Sequence, residues 1–134
     1  MIFRGEYAFL SNFYPCEVLY EGILYPSSEH AYQAAKSLSR DEKLFISRLP
    51  TPGKTKRHKT QFPRADFHVV KIELMYEILK IKFKNSVLSS LLRKTGNLTI
   101  TEDNTWGDTF WGVCNGVGDN NLGTLLMVVR YELD

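Results

Sequence analysis

The chain has 134 residues, with 17 Lys and Arg against 15 Asp and Glu and a formal net charge of +2. That length suits one domain with a real core, and 43% hydrophobic and 13% aromatic residues exclude a disordered chain. So small a net charge gives no global argument for nucleic-acid binding.

The chain opens extended. Residues 16–20 and 23–25, joined around Glu21-Gly22, have the pattern of a small hairpin. Pro26-Ser27-Ser28-Glu29 signals a helix start, with a Ser cap and an early acid, and the helix runs to about Leu38. A second helix starts at Asp41 or a neighbour and runs through Leu49. Thr51-Pro52 is a cap followed by proline at the first helical position. Residues 66–85 are the longest periodic stretch. Val70, Leu74, Ile78 and Ile81 make one stripe and Phe67, Leu79 and Phe83 widen it, which predicts a central core helix. Residues 87–93 continue helically to a stop at Gly96. Residues 98–101 alternate like a short strand. Leu122, Leu125, Leu126, Val129 and Leu133 predict a closing helix capped by Asn120 or Asn121. The expected class is α+β and predominantly α-helical: one compact domain over residues 1–134 with a small N-terminal β-hairpin. There is no internal repeat, low-complexity tract or linker.

One loop carries much of the chemistry. It holds both tryptophans, Trp106 and Trp111, with Gly107 and Asp108 between them, then Gly116, Gly118, Asn120, Asn121 and Gly123. Aromatic faces stack bases, and glycines let backbone amides approach phosphates. A helix N-terminus after such a loop adds partial positive charge. The bland alternative is a packed aromatic corner with ordinary turns.

The second constellation lies on the first helix. Glu29, Gln33 and Lys36 are spaced i, i+4, i+7 and share one face. Ala31, Ala34 and Ala35 are small and allow close packing on the other faces. A carboxylate, an amide and an amine on one stripe suit a polar cleft. Alone, such a stripe is more often a solvated face with a Glu–Lys interaction.

Other features are weaker. Gly53-Lys54-Thr55 lacks the upstream glycine of a P-loop, because Arg48 stands there. Gly116-x-Gly118 lacks the third glycine of a dinucleotide fingerprint, at Asn121. Lys54, Lys56, Arg57, His58 and Lys59 form a basic run that is either a solvated helix face or a phosphate clamp. His30, His58 and His68 have no metal-ligand spacing, so no metal is expected, and His30 reads as structural. Cys16 and Cys114 have no CxxC partner, so free thiols are expected. No signal-peptide pattern and no membrane-spanning segment is present, so a cytoplasmic protein without a membrane partner is expected.

Taken together, these residues resemble the NADAR domain family. The resemblance is carried by Phe9-Leu10-Ser11-Asn12-Phe13 and by the segment from Tyr25 to Lys36, with its Ser28-Glu29-His30-x-x-Gln33-x-x-Lys36 pattern. Trp106-Gly107-Asp108 and the run from Asn121-Leu122-Gly123 through Leu126-Met127 to Arg130 complete it. It spans nearly the whole chain in order. It implies a compact, mainly helical fold and metal-independent hydrolysis of N-glycosyl bonds, with no cofactor. The implied substrates are small-molecule nucleotides or ADP-ribosylated bases: ADP-ribosylated guanine, or early riboflavin-pathway intermediates. Phe67 stands where members often carry Trp near the start of the long helix, which bears on base specificity.

The implied reaction passes through an oxocarbenium-like ribose, which a nearby carboxylate stabilises. The resemblance makes Glu29 the first catalytic choice. Asp108 is the second carboxylate, as a base or a hydroxyl ligand, by analogy with paired-carboxylate glycoside chemistry. Lys36 is either a phosphate ligand or a transient Schiff-base former. Phe13, Gln33, Phe67, Trp106, Gly107 and Trp111 complete the substrate-binding set, with Asn12, Gly118 and Asn121 as ribose and phosphate contacts. The alternative to a hydrolase is a module that sequesters ADP-ribose-type nucleotides without cleaving them. Two carboxylates near phosphates favour the enzyme. The oligomeric state is not legible.

Overall fold

The structure is a computed structural model that describes residues 1–133. Those residues hold a 3₁₀ helix, six α-helices and two two-stranded sheets. The protein is α+β and mainly helical, with a small antiparallel hairpin near the N-terminus. The chain groups into two units, Asn12–Lys82 and Met1–Ser11 with the chain from Phe83 onward.

In the Asn12–Lys82 unit, β1 (Val18–Tyr20) pairs antiparallel with β2 (Ile23–Tyr25). Glu21 and Gly22 have φ of 51° and 82°, the two positive values that a tight two-residue hairpin turn requires. Val18, Tyr20, Ile23 and Tyr25 are buried, while Leu19 and Leu24 are exposed, the period-2 pattern of a one-sided ribbon. α1 (Ser28–Ala35) starts where the Ser27 side chain accepts the His30 N–H. It stops short of the expected Leu38. The Lys36 carbonyl accepts the Arg64 N–H, and the Leu38 N–H donates to the Phe62 carbonyl, so a neighbouring segment takes the groups that would extend the helix. α2 (Arg40–Ser47) is capped by Ser39 and ends two residues before the expected Leu49, while α3 (Pro52–Arg57) has the predicted Thr51 cap with Pro52 next. α4 (Phe67–Lys82) buries Leu74, Met75, Ile78 and Leu79. Val70 and Ile81 of the predicted stripe are only half-buried, so the inward face is turned toward Met75 and Leu79.

In the other unit, the chain begins with the 3₁₀ helix Gly5–Leu10, ahead of the hairpin that forms the expected extended start. A tight turn brings adjacent Phe9 and Leu10 inward together, which the alternating faces of a strand cannot do. Phe9 meets Phe83 edge-on at 6.4 Å. α5 (Ser86–Lys94) is capped by Asn85, and Gly96 follows at φ +59°. Leu88 and Leu92 of α5 are buried, as are Leu122, Leu126 and Val129 of α6 (Asn121–Glu132).

The expected strand at residues 98–101 does not form. Ile100 is fully buried, but its N–H meets the Met127 sulfur and its carbonyl accepts from the Asn120 amide, so side chains replace a strand partner. The strands here are β3 (Asp103–Asn104) and β4 (Val113–Cys114), a short parallel pair. Asn120 occupies the N-cap position of α6 at φ +54° but makes no side-chain cap bond. Its amide bridges the Ile100 carbonyl and the Glu102 N–H instead. Cys16 and Cys114 are free thiols. Among the described residues, no helix is long and apolar enough to cross a membrane.

Candidate active site

Every residue of α1 is buried, including Ser28, Glu29, His30 and Gln33. So polar a buried helix needs internal partners, and it has them. The Asn12 carbonyl accepts the Glu29 N–H at 3.0 Å, and Asn12 Oδ1 accepts the Ser28 hydroxyl at 2.8 Å. Asn12 Nδ2 reaches the Met75 sulfur at 3.6 Å. Asn12, expected at a ribose, is thus occupied in holding the start of α1. His30 places Nε2 2.9 Å from the Leu49 carbonyl and Nδ1 2.6 Å from Ser27 Oγ. A carbonyl only accepts, so Nε2 carries the proton and Nδ1 accepts the hydroxyl. Burial pushes the imidazole pKa down. His30 is structural, as expected.

Glu29 is 7% exposed and Gln33 6%. The Gln33 amide donates to Glu29 Oε2 at 2.6 Å, the i, i+4 contact that the spacing predicts. One turn further, the Lys36 amine lies 5.4 Å from the Tyr32 ring centre and 5.3 Å from that of Phe67. The two rings are 5.6 Å apart and tilted by 55°. Burial lowers the Lys36 pKa, the Glu29 charge opposes that fall, and Lys71 reinforces it. Glu29 and Gln33 of the stripe are therefore packed inside, and Lys36 is half-buried at its end. Tyr32 and Lys71 were not among the expected residues. Tyr32 is legible in hindsight as the i, i+4 partner of Lys36. Lys71 comes from α4 and leaves no local signal.

The basic run divides. Lys56 places its amine 5.9 Å over the ring of Phe13, which is 42% exposed. Lys54, Arg57 and Lys59 are exposed, while His58 turns onto Glu42 at 3.0 Å.

The tryptophan loop belongs to the other unit. Asp108 Oδ1 accepts the N–H groups of Phe110 (3.1 Å) and Trp111 (2.9 Å). Asn104 accepts the Asp108 N–H and donates to its carbonyl. Phe110 and Trp111 meet edge-on at 4.8 Å, and the Asn121 amide donates to the Phe110 carbonyl. Trp106 is 58% exposed, beside Gly107 at φ +84°. Asp108 is thus engaged in shaping the turn between the two tryptophans.

The amides expected to cradle a phosphate are occupied. Those of Asp119, Asn120, Asn121 and Leu122 donate to the carbonyls of Thr109, Gly112, Phe110 and Trp111. Gly118 has φ +153°, and a Cβ there would strike the Gly112 carbonyl. Its glycine is required by the loop packing on itself. No group of three or more His, Cys, Asp or Glu among the described residues is placed to hold a metal ion.

The family model described as the NADAR domain matches residues 2–134. The chain is 37% identical over 133 residues to the riboflavin biosynthesis protein VVA0006 of Vibrio vulnificus, covering 96% of this chain but only 36% of that one. It is 33% identical to N-glycosidase YbiA of Shigella boydii, covering 96% of this chain and 82% of that protein. It is 34% identical to N-glycosidase Npun_R5314 of Nostoc punctiforme, with 95% and 86% covered. The NMR structure of the Escherichia coli protein YbiA superposes with a TM-score of 0.85 at 30% identity, over 99% of this chain and 83% of that one. A buried Glu-x-x-x-Gln-x-x-Lys helix, a helical fold shared with YbiA and a full-length match lead to one statement: the chain belongs to the NADAR domain family.

Proposed function

We propose that this chain is an N-glycosidase that hydrolyses the bond between C1 of a phosphorylated ribose and an amine or base nitrogen. The ribose is of the ADP-ribose or ribose-5-phosphate type, and the group that leaves is the guanine base of ADP-ribosylated guanine or the amine of an early riboflavin-pathway intermediate. The names of the Shigella and Nostoc relatives support the bond class, and that of the Vibrio relative supports the riboflavin connection. The observation that carries the reading is the buried face of α1. There a carboxylate is oriented by a 2.6 Å hydrogen bond, next to an amine whose pKa is depressed between two rings.

In this reading Glu29 faces the positive charge that develops on ribose as C1–N breaks. It takes a proton from the attacking water, whose oxygen bonds C1, and that proton passes on to the departing nitrogen, which returns Glu29 to its carboxylate. Gln33 holds the carboxylate in place, so little reorganisation is needed during the reaction. Lys36 has two roles open to it. As an ammonium it binds phosphate. As a neutral amine it condenses with the ring-opened aldehyde and releases water. Phe13, exposed under Lys56, offers a face for a base. Trp106 and Trp111 are the stacking candidates of the loop.

Mass spectrometry of products over a panel of ribosylated amines and bases tests the proposal. Release of free amine by the wild-type protein, cut on the order of 100-fold in a folded Glu29→Gln variant, supports it. Tight binding of ADP-ribose with no release from any substrate replaces it with the sequestering module. Borohydride trapping then separates the roles of Lys36, because only a Schiff base leaves a reduced adduct on it.

A further inference from the structure

Glu42 lies on α2, and the hydrolysis gives it no task. Ser39-Arg40-Asp41-Glu42 has the form of a capping box, in which the glutamate turns back to the N–H of the cap residue. Ser37 Oγ accepts that N–H instead, at 3.0 Å. The Glu42 carboxylate turns elsewhere. Oε1 accepts the Ser37 hydroxyl at 2.6 Å and the Phe62 N–H at 3.2 Å. Oε2 accepts the Gln61 N–H at 2.6 Å and His58 Nε2 at 3.0 Å. Burial alone would raise its pKa, but these four donors outweigh it and bring the carboxyl down to about 2. Two of the donors are backbone amides of the segment that joins α3 to α4.

That segment runs as a strap beside the end of α1. The Arg64 N–H donates to the Lys36 carbonyl at 2.8 Å, and the Leu38 N–H to the Phe62 carbonyl at 2.8 Å. Ser37 and Pro63 pair between them as a single antiparallel bridge. Proline has no N–H, so the flanking bonds carry this contact. Three residues past Arg64 the strap delivers Phe67, the first residue of α4, whose ring lies over the Lys36 amine. The backbone of Lys36 and one wall of its enclosure both hang on the strap, and the strap hangs on Glu42.

We propose that Glu42 is a positioning residue for Lys36: by gripping the strap it fixes the Lys36 carbonyl and sets Phe67 over the Lys36 amine. Only the catalytic meaning of Lys36 rests on the function proposed above, because the geometry stands without it. The charged groups acting on Lys36 are Glu29 on its own helix and Lys71 on α4, while the strap's Arg64 and Asp66 pair with each other at 2.7 Å.

The test reads the Lys36 amine directly and needs no substrate. Lysines are reductively ¹³C-methylated, Lys36 is assigned with Lys36→Arg, and its titration is followed by NMR in wild type, Glu42→Gln, Glu42→Asp and Ser37→Ala. An amide at position 42 cannot accept from all four donors, so the strap loosens and Lys36 gains water. Its pKa should then rise toward the ordinary lysine value. Loss of a nearby negative charge would by itself lower a lysine pKa, so a rise reports the opened enclosure. Glu42→Asp keeps the charge and should recover at least half of the shift. Ser37→Ala should move Lys36 the same way by less. A folded Glu42→Gln protein that melts earlier but titrates Lys36 as wild type overturns the proposal. Should Glu42→Gln fail to fold, an unchanged titration in Ser37→Ala overturns it alone. A wild-type protein without glycosidase activity leaves this result standing, so the two proposals fail separately.

Discussion

Helix α1 and the tryptophan loop at residues 104–123 carry the same kinds of group, carboxylates and amides among small residues, yet they use them differently. In α1 the helical ladder pairs the interior backbone groups, with Asn12, Ser27 and Arg64 closing its ends, so the side chains of Glu29 and Gln33 are left to meet each other. In the loop the backbone has no regular ladder, so Asn104, Asp108, Asn120 and Asn121 supply its missing partners. A buried backbone amide or carbonyl must be paired, and an irregular segment draws on the nearest polar side chain to do it. A loop rich in Asn, Asp and Gly is therefore a poor place to read ligand chemistry from residue type. A regular helix with polar residues facing inward is a better one.

The largest effect that sharpens this contrast is on stability, at Gly118. Gly118→Val puts a side chain at φ +153° and a Cβ against the Gly112 carbonyl. It should cost about 3 kcal/mol or more in urea denaturation, because both strain and a backbone clash must be relieved. A variant as stable as wild type would reopen the loop as a phosphate cradle.

Exchanging each carboxylate for its amide comes next. Glu29→Gln should cut turnover on the order of 100-fold while melting close to wild type. Asp108→Asn should lose about 1 to 2 kcal/mol of stability from its weakened turn, with turnover within about tenfold. The reverse pattern, a stable Asp108→Asn protein without turnover, would make the loop carboxylate catalytic and break the contrast.

Acid stability tests a third carboxylate, one buried on the α1 side. The folded pKa of Glu42, about 2, lies below the ordinary 4.5. Its stabilisation is therefore complete above about pH 4.5 and is lost as the pH falls toward 2. Glu42→Gln should lower stability at neutral pH and flatten the pH dependence across that window in chemical denaturation. An unchanged slope would mean that the four donors do not hold the charge.

The smallest effect belongs to the basic run. Lys56→Gln should raise KM a few-fold at low salt through its place over Phe13, while Lys54→Gln and Arg57→Gln, on positions as exposed as that of Lys56, should change it little. Equal effects at all three would show general steering and no subsite at Phe13.

The amino-acid sequence by itself determined the hairpin and its turn, the caps of α1 and α3, the core character of α4 and the shared face of Glu29, Gln33 and Lys36. Each depends on residues within a few positions of one another, where local sterics and the helical repeat decide the outcome. Only the tertiary structure decided that α1 ends at Ala35, because the strap at residues 61–64, distant in the chain, takes the backbone groups of Lys36 and Leu38. It likewise decided that residues 98–101 stay out of a sheet, that the α6 amides face carbonyls, and that Phe67 comes to lie by the Lys36 amine. Those outcomes are pairings between groups distant in sequence, and a polar group buried by folding takes whichever partner the fold brings near.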